Sequence, residues 1–171
     1  MYNTSKLNFK NIAIKDANFT FALRNENYEN NKMMVSTPLP SNISKERAWI
    51  KSLNTNKNHA YFIIQEKKTS AKIGYCFLND IDYLHRYGYI GLMIKSEYQG
   101  MGYGKTTISF LCNLAKKNLN LIKVQASVVS LNRKSAQLFK KCSFKLEGKL
   151  KKNFFIKGKR YDHLIFGKKL V

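Results

Sequence analysis

The run Gln99-Gly100-Met101-Gly102-Tyr103-Gly104-Lys105-Thr106 lies between an apolar stretch, Tyr89 to Ile94, and an amphipathic one, Ile108 to Ala115. No other segment constrains the chain as much. A strand enters a glycine loop, and the loop opens a helix. Glycine tolerates positive φ, so successive backbone N–H groups can turn toward one point. The new helix adds its unpaired N–H groups and the positive end of its dipole. A loop of this construction holds an anion, most often a phosphate.

Spacing narrows the ligand. A nucleotide P-loop needs GxxxxGK[ST], and glycines at 100, 102 and 104 break that pattern although Gly104-Lys105-Thr106 matches its end. A dinucleotide fingerprint needs GxGxxG and an acidic residue further on, where this chain has Leu121-Ile122-Lys123-Val124. What fits is Q/R-x-x-G-x-G/A, as Gln99-Gly100-Met101-Gly102-Tyr103-Gly104, and this resembles the pyrophosphate loop of the GNAT superfamily of acyl-CoA N-acyltransferases. The competing reading of these six residues is a glycine-rich turn with no ligand. A second segment argues against it. Asn132-Arg133-Lys134-Ser135-Ala136-Gln137-Leu138-Phe139 and the following residues to Phe144 are similar to the second GNAT motif, N-x-x-A-x-x-x-Y-x-x-x-G-F, in register at Asn132, Ser135 and Phe144. Leu146 to Lys151 and Tyr161-Asp162 resemble the closing strands of the RimJ/RimL-like branch. Ile81 to Arg86 resembles spermidine acetyltransferases of that branch, whereas Leu23-Arg24-Asn25 and Asn58 to Phe62 resemble the flagellar amino-sugar acetyltransferases. The likeness spans nearly the whole chain and is most specific from Tyr89 to Gly148.

The pattern of elements agrees. Leu7 to Ile14 reads as a strand, Asp16 to Asn25 and Ser44 to Leu53 as helices with Ser44 as N-cap, and Thr37-Pro38-Leu39-Pro40 as a break between them. Ala60 to Gln65, Lys72 to Leu78 and Tyr87 to Ile94 read as strands joined by turns at 67–70 and 79–82; Leu121 to Val129, the Asn132 helix and a hairpin at Lys157-Gly158 follow. The expectation is an α/β, GNAT-like domain over residues 1–171, a mixed and mostly antiparallel sheet of about seven strands with about four helices. With no apolar run near the ~18 residues of a membrane span and no apolar leader after Met1, the chain is expected in the cytosol, away from membranes. Cys76, Cys112 and Cys142 lack CxxC spacing and sit among apolar neighbours, so buried thiols are expected rather than disulfides or a metal site.

The resemblance implies acetyl-CoA as acyl donor. Its pyrophosphate is expected on Gln99, Gly100, Met101, Gly102, Tyr103, Gly104, Lys105 and Thr106, its thioester beside Met93 and Ile94, and its pantetheine near Asn132, Ser135 and Phe139. A primary amine of lysine type has a pKa of about 10.4 and needs a base before it attacks. The residues that carry this chemistry in relatives are replaced here. Phe139 stands where the family's tyrosine acid stands, so transfer proceeds without that acid or Tyr103 or another tyrosine takes its place. Tyr89 and Ser127 stand where branches of the family have glutamate. Asp80, Asp82 and Tyr89 are the candidate catalytic groups, with His85 beside them, and a plain solvated turn is the alternative for the aspartates. His59 and His163 fall in strand patterns and read as structural. Arg24, Asn25, Met34, Trp49, Tyr61 and Tyr83 are the candidate acceptor residues.

Charge bears on the acceptor. The chain carries 31 Lys+Arg against 10 Asp+Glu, a formal net charge of +21, which steers anions in and repels cations. An anionic acceptor, the amine of a nucleotide-linked sugar, is therefore ranked first, a protein N-terminus second and a polyamine third. A basic module that binds RNA or another polyanion is the competing class, against which the intact glycines and Asn132 argue. A homodimer is left open.

Overall fold

The computed structural model describes residues 2–26, 42–53 and 55–170. Among them, eight strands form one sheet in the order β1-β2-β3-β4-β5-β6-β8-β7. They are β1 (Tyr2–Asn3), β2 (Leu7–Asn11), β3 (Ala60–Glu66), β4 (Lys72–Asp82), β5 (Tyr87–Ile94), β6 (Lys123–Val129), β7 (Lys145–Ile156) and β8 (Lys159–Lys169). The helices are α1 (Ala17–Glu26), α2 (Ile43–Leu53), α3 (Tyr103–Lys117) and α4 (Arg133–Lys141). Every neighbouring pair is antiparallel except β5 and β6, which are parallel and joined through the crossover helix α3. This is the expected mixed α/β architecture, with eight strands instead of about seven because Tyr2 and Asn3 pair with Phe9 and Asn8.

Local chemistry moves several boundaries. Strand β2 stops at Asn11, short of the expected Ile14, because Asp16 Oδ2 accepts the Ala13 N–H at 2.9 Å and turns the chain into a short 3₁₀ segment, Ile14–Asp16. The cap of α2 is Asn42, not Ser44: its Oδ1 accepts the Lys45 N–H at 2.9 Å, and its carbonyl takes the Glu46 N–H at 3.0 Å. Residues 79–82 are not a turn. They continue β4 through a bulge between Asn79 and Asp82, and the chain reverses at 83–86 instead. Asn132 caps α4 as expected, with Oδ1 accepting the Ser135 N–H at 3.0 Å, and Lys157 and Gly158 form the closing turn with φ of 48 and 77. The Thr37 to Pro40 break and Met34 lie outside the described residues.

The sheet is covered on both faces over β2 to β5. Phe62, Ile63 and Ile64 are buried in succession, the mark of a strand with apolar contacts above and below. On one face α3 and α4 pack through Ile108, Leu111, Leu114 and Phe139 against Ile64, Leu78, Ile90, Val124 and Phe166. Burying each Leu or Ile stabilises by ~1.5–3 kcal/mol, and this seats α3 against the strands it connects. On the other face α1 and α2 pack Leu23 and Ile50 against Ile63 and Tyr75. Among the described residues no helix is long and apolar enough to cross a membrane, and Cys76, Cys112 and Cys142 are buried free thiols.

Candidate active site

The parallel pairing of β5 with β6 runs only through Tyr87–Lys123, Gly88–Val124 and Tyr89–Gln125. Past that point β5 remains bonded to β4 as far as Ile94, paired with Gly74, and β6 remains bonded to β8 as far as Val129, paired with His163. The two strands thus splay into a wedge whose facing edges, Gly91 to Ile94 and Ser127 to Val129, carry backbone N–H and C=O groups without a strand partner among the described residues. Both sequence motifs stand at its mouth, since β5 leads into the glycine loop and β6 into the Asn132 cap.

The loop has the form an anion requires. Gly100 and Gly102 each have φ of +83, and a Cβ at either would meet nothing within 4 Å. Gly102 is the N-cap of α3 and supplies no side-chain cap. The first internal helical bond is Thr106 N–H to Gly102 O at 3.2 Å, which leaves the N–H groups of Tyr103, Gly104 and Lys105 without an acceptor inside the helix. The contrast with α4, whose first turn is filled by Asn132, is direct. Gln99 braces the turn by donating from Nε2 to the Ile94 carbonyl at 3.0 Å. Met101 and Lys105 are exposed, and Thr106 Oγ1 reaches Gly102 O at 3.4 Å. Gly104 allows α4 to approach: a Cβ there would lie 2.9 Å from Leu138 Cδ2.

Phe139 is core, 3% exposed between Phe144 and Phe166, with ring centroids at 5.1 and 6.3 Å. The hydroxyl of Tyr103 is donated to the Glu66 carboxylate at the end of β3.

On the α1–α2 face, β5 presents Tyr89, Gly91 and Met93, since Ile90, Leu92 and Ile94 belong to the opposite core. The Cζ end of the Phe77 ring packs against Gly91, where a Cβ would collide with it. From Phe77 an aromatic wall runs outward through Tyr61 at 5.1 Å to Trp49 at 5.3 Å, with Tyr75 at 6.5 Å from both Tyr61 and Trp49. The Tyr61 hydroxyl accepts from Asn79 Nδ2 at 2.8 Å, and burial pushes its pKa up against that bond. Arg24 sits 5.0 Å over the Trp49 ring and donates to Glu46 Oε2 at 3.3 Å. Glu46 is 1% exposed, and its Oε1 has no hydrogen-bond partner among the described residues. Asn25 is exposed on α1.

Asp80, Asp82 and Tyr83 stand apart from this wall, at the hairpin end of β4 and β5, opposite the glycine loop. Asp82 accepts from the His85 backbone N–H at 2.7 Å and meets its Nδ1 at 2.8 Å, and these bonds hold its carboxyl below the usual range. Exposed Asp80 has φ of 48, and its N–H meets His59 Nδ1 at 3.4 Å. The Tyr83 hydroxyl donates to the Lys57 carbonyl at 3.0 Å. The sequence therefore grouped residues that fall in two places: Arg24, Trp49 and Tyr61 share the wall, whereas Asp80, Asp82 and Tyr83 share the hairpin. Glu46, Glu66, Asn79 and Phe77 were missed. Glu46 had a signal, three residues after Ile43 and four before Ile50 on the apolar stripe of α2.

The family model of the acetyltransferase (GNAT) domain matches residues 6–145. The chain is 30% identical over 140 residues to the spermidine N(1)-acetyltransferase of Vibrio cholerae, covering 80% of each. It is likewise 30% identical over 135 residues to an uncharacterized prophage-derived N-acetyltransferase of Bacillus subtilis, covering 78% of this chain and 75% of that one. The crystal structure of a Vibrio cholerae spermidine N-acetyltransferase in complex with CoA and spermine superposes with a TM-score of 0.90 at 25% identity, covering 98% of this chain and 97% of that one. Because the family match extends over well more than half of the sequence, this chain belongs to the GNAT acetyltransferase family and is an acetyl-CoA-dependent N-acetyltransferase.

Proposed function

We propose that the acceptor is a primary amine of a polyamine such as spermidine, and that it lies on the aromatic wall beside the wedge. The observation that carries this reading is the run Phe77, Tyr61, Trp49, which leads from the wedge edge to α2. A chain of methylenes and ammonium groups suits such a surface, since apolar carbons pack on the rings and cations favour their faces. Arg24, the cation over Trp49 among the described residues, is compensated by Glu46. The polyamine acceptors named for the relatives support the same choice. The +21 charge, which ranked a polyamine last in the sequence, belongs to the whole chain and does not describe this face.

Acetyl-CoA supplies an activated acyl group, and the N–H groups of Tyr103, Gly104 and Lys105 are suited to its diphosphate. The unpaired edge from Gly91 to Ile94 offers N–H donors that stabilise negative charge developing on the acyl oxygen. The amine attacks once neutral; its nitrogen bonds the acyl carbon, the carbon–sulfur bond breaks, and the thiolate leaves. Asp82 has both oxygens engaged by His85 and is a poor base. Tyr89, two positions before Gly91 on the same face, is the candidate that orients the amine and relays its proton to water.

The test is thiol release from acetyl-CoA with spermidine, spermine, an N-terminal peptide and a nucleotide-linked amino sugar as acceptors. The expected result is a kcat/KM for spermidine about 100-fold above that for the amino sugar. A second reading, the amino sugar, rests on the excess of Lys and Arg, and the reverse ranking would establish it in place of the first.

A further inference from the structure

The turn at 99–102 is exposed, and its two left-handed glycines touch nothing on their open side. Something must hold it in the shape that aims its N–H groups. Within the segment, the Gln99 N–H reaches Ser96 O at 3.2 Å and the Gln99 side chain reaches Ile94 O at 3.0 Å. Among the described residues, the hydrogen bond from the Tyr103 hydroxyl to the Glu66 carboxylate ties the first helical turn to the sheet. Tyr103 follows Gly102 directly, so its position and the φ of that glycine are set together. Glu66 is itself fixed. It ends β3 opposite Leu7, its N–H reaches Ala71 O at 2.9 Å, and its Oε2 accepts the Thr69 hydroxyl at 2.6 Å. A carboxylate is an unexpected neighbour for a diphosphate site, because the two charges repel.

We infer that Tyr103 and Glu66 form a positioning pair for the acyl donor: the phenol anchors the glycine turn to β3 and satisfies a carboxylate that would otherwise face the donor's phosphates. The hydrogen bonds from Thr69 and then Tyr103 keep the Glu66 carboxyl below its usual range, and the bond to Glu66 raises the Tyr103 phenol. Near neutral pH the proton therefore stays on Tyr103. Because that proton is donated to Glu66, Tyr103 is assigned to binding and not to the role of acid toward the departing thiolate, which the sequence had left open for it.

The inference rests on the donor and not on the acceptor, so it is tested by calorimetric titration of the full chain with CoA. Tyr103→Phe is expected to raise the Kd by about 3–10-fold, the span of one lost hydrogen bond, and to raise KM for acetyl-CoA with kcat within twofold. Glu66→Gln keeps an acceptor for the phenol and removes the charge, so it should bind CoA at least as well as the parent. The double variant Tyr103→Phe/Glu66→Gln should recover only the part of the loss that comes from the unsatisfied carboxylate, and should still bind CoA less well than Glu66→Gln, which keeps the anchor. An unchanged Kd in Tyr103→Phe overturns the inference, as does a fall in kcat at constant KM, which would return Tyr103 to proton transfer. If Tyr103→Phe does not fold, Glu66→Ala replaces it: the lost anchor predicts a higher KM, and an unchanged KM overturns the proposal. None of these outcomes depends on which amine is acetylated.

Discussion

Replacing Arg24 by methionine leaves Glu46 with no cation. Its side chain is 1% exposed, Oε2 is held by Arg24 at 3.3 Å, and Oε1 has no hydrogen-bond partner among the described residues. Removing one member of a buried ion pair costs ~3–5 kcal/mol, mainly because the remaining charge is left without compensation. The Arg24 side chain is 32% exposed, so water can partly replace it, and the loss falls at the lower end, about 3 kcal/mol. Methionine retains the packing of the stem but forfeits the cation–π contact with Trp49, worth ~0.5–1 kcal/mol. In a chain of 171 residues such a loss lowers Tm by about 10 °C. The assay is urea unfolding followed by tryptophan fluorescence, which reports on Trp49 itself. Arg24→Met/Glu46→Leu removes both charges and should return to within about 1 kcal/mol of the parent. A loss below about 1 kcal/mol in Arg24→Met, or a double variant no more stable than the single one, would refute the reasoning. An increase in KM for the acceptor with no loss of stability would show instead that Arg24 is free to bind substrate.

Gly102→Ala introduces a Cβ that meets no neighbour, but φ of +83 costs a non-glycine residue ~1–2 kcal/mol, so the turn relaxes and CoA affinity falls about 10-fold by calorimetry. Gly104→Ala meets only the flexible end of Leu138 at 2.9 Å, and its CoA affinity should stay within about twofold. For His163, burial lowers the pKa below the ordinary 6.5, and its Nε2 has no hydrogen-bond partner among the described residues. The unfolded chain therefore binds a proton there before the folded one does. Stability should decline as pH falls from 6.5 toward the folded pKa, and urea midpoints at pH 7.5 and 5.5 should differ less in His163→Leu than in the parent; an equal difference in both excludes His163 as the source.

The parts of the fold that were legible are local ones. A glycine turn was expected at 99–106 and a hairpin at Lys157-Gly158, and Gly100, Gly102 and Gly158 have the positive φ that such turns use. Asn132 caps α4 because the residue type and its distance from Ser135 are sufficient. The apolar runs of β5 and α3 bound the anion turn from both sides, and those runs are written in consecutive residues. Errors arose where a local signal had a rival a few residues away: Ser44 was a plausible cap until Asn42 supplied one, and residues 79–82 looked like a turn until the bulge carried them into β4.

The sequence by itself determined that a strand leads through a glycine turn into a helix whose first N–H groups have no side-chain cap, that a second helix is capped by its own asparagine, and that the combination resembles an N-acetyltransferase. Tertiary structure decided what those parts face. The wedge exists because the pairing of β5 with β6 stops at Tyr89–Gln125, and strand register depends on residues far apart in the chain. Arg24 and Glu46, 22 positions apart, and Tyr103 and Glu66, 37 apart, find each other only in the folded sheet. Net charge had ranked the acceptors from a sum over the whole chain. The wall of Phe77, Tyr61 and Trp49 is a local surface, and the sum holds no record of it, because recognition acts over the few ångströms that a fold, and not a composition, brings together.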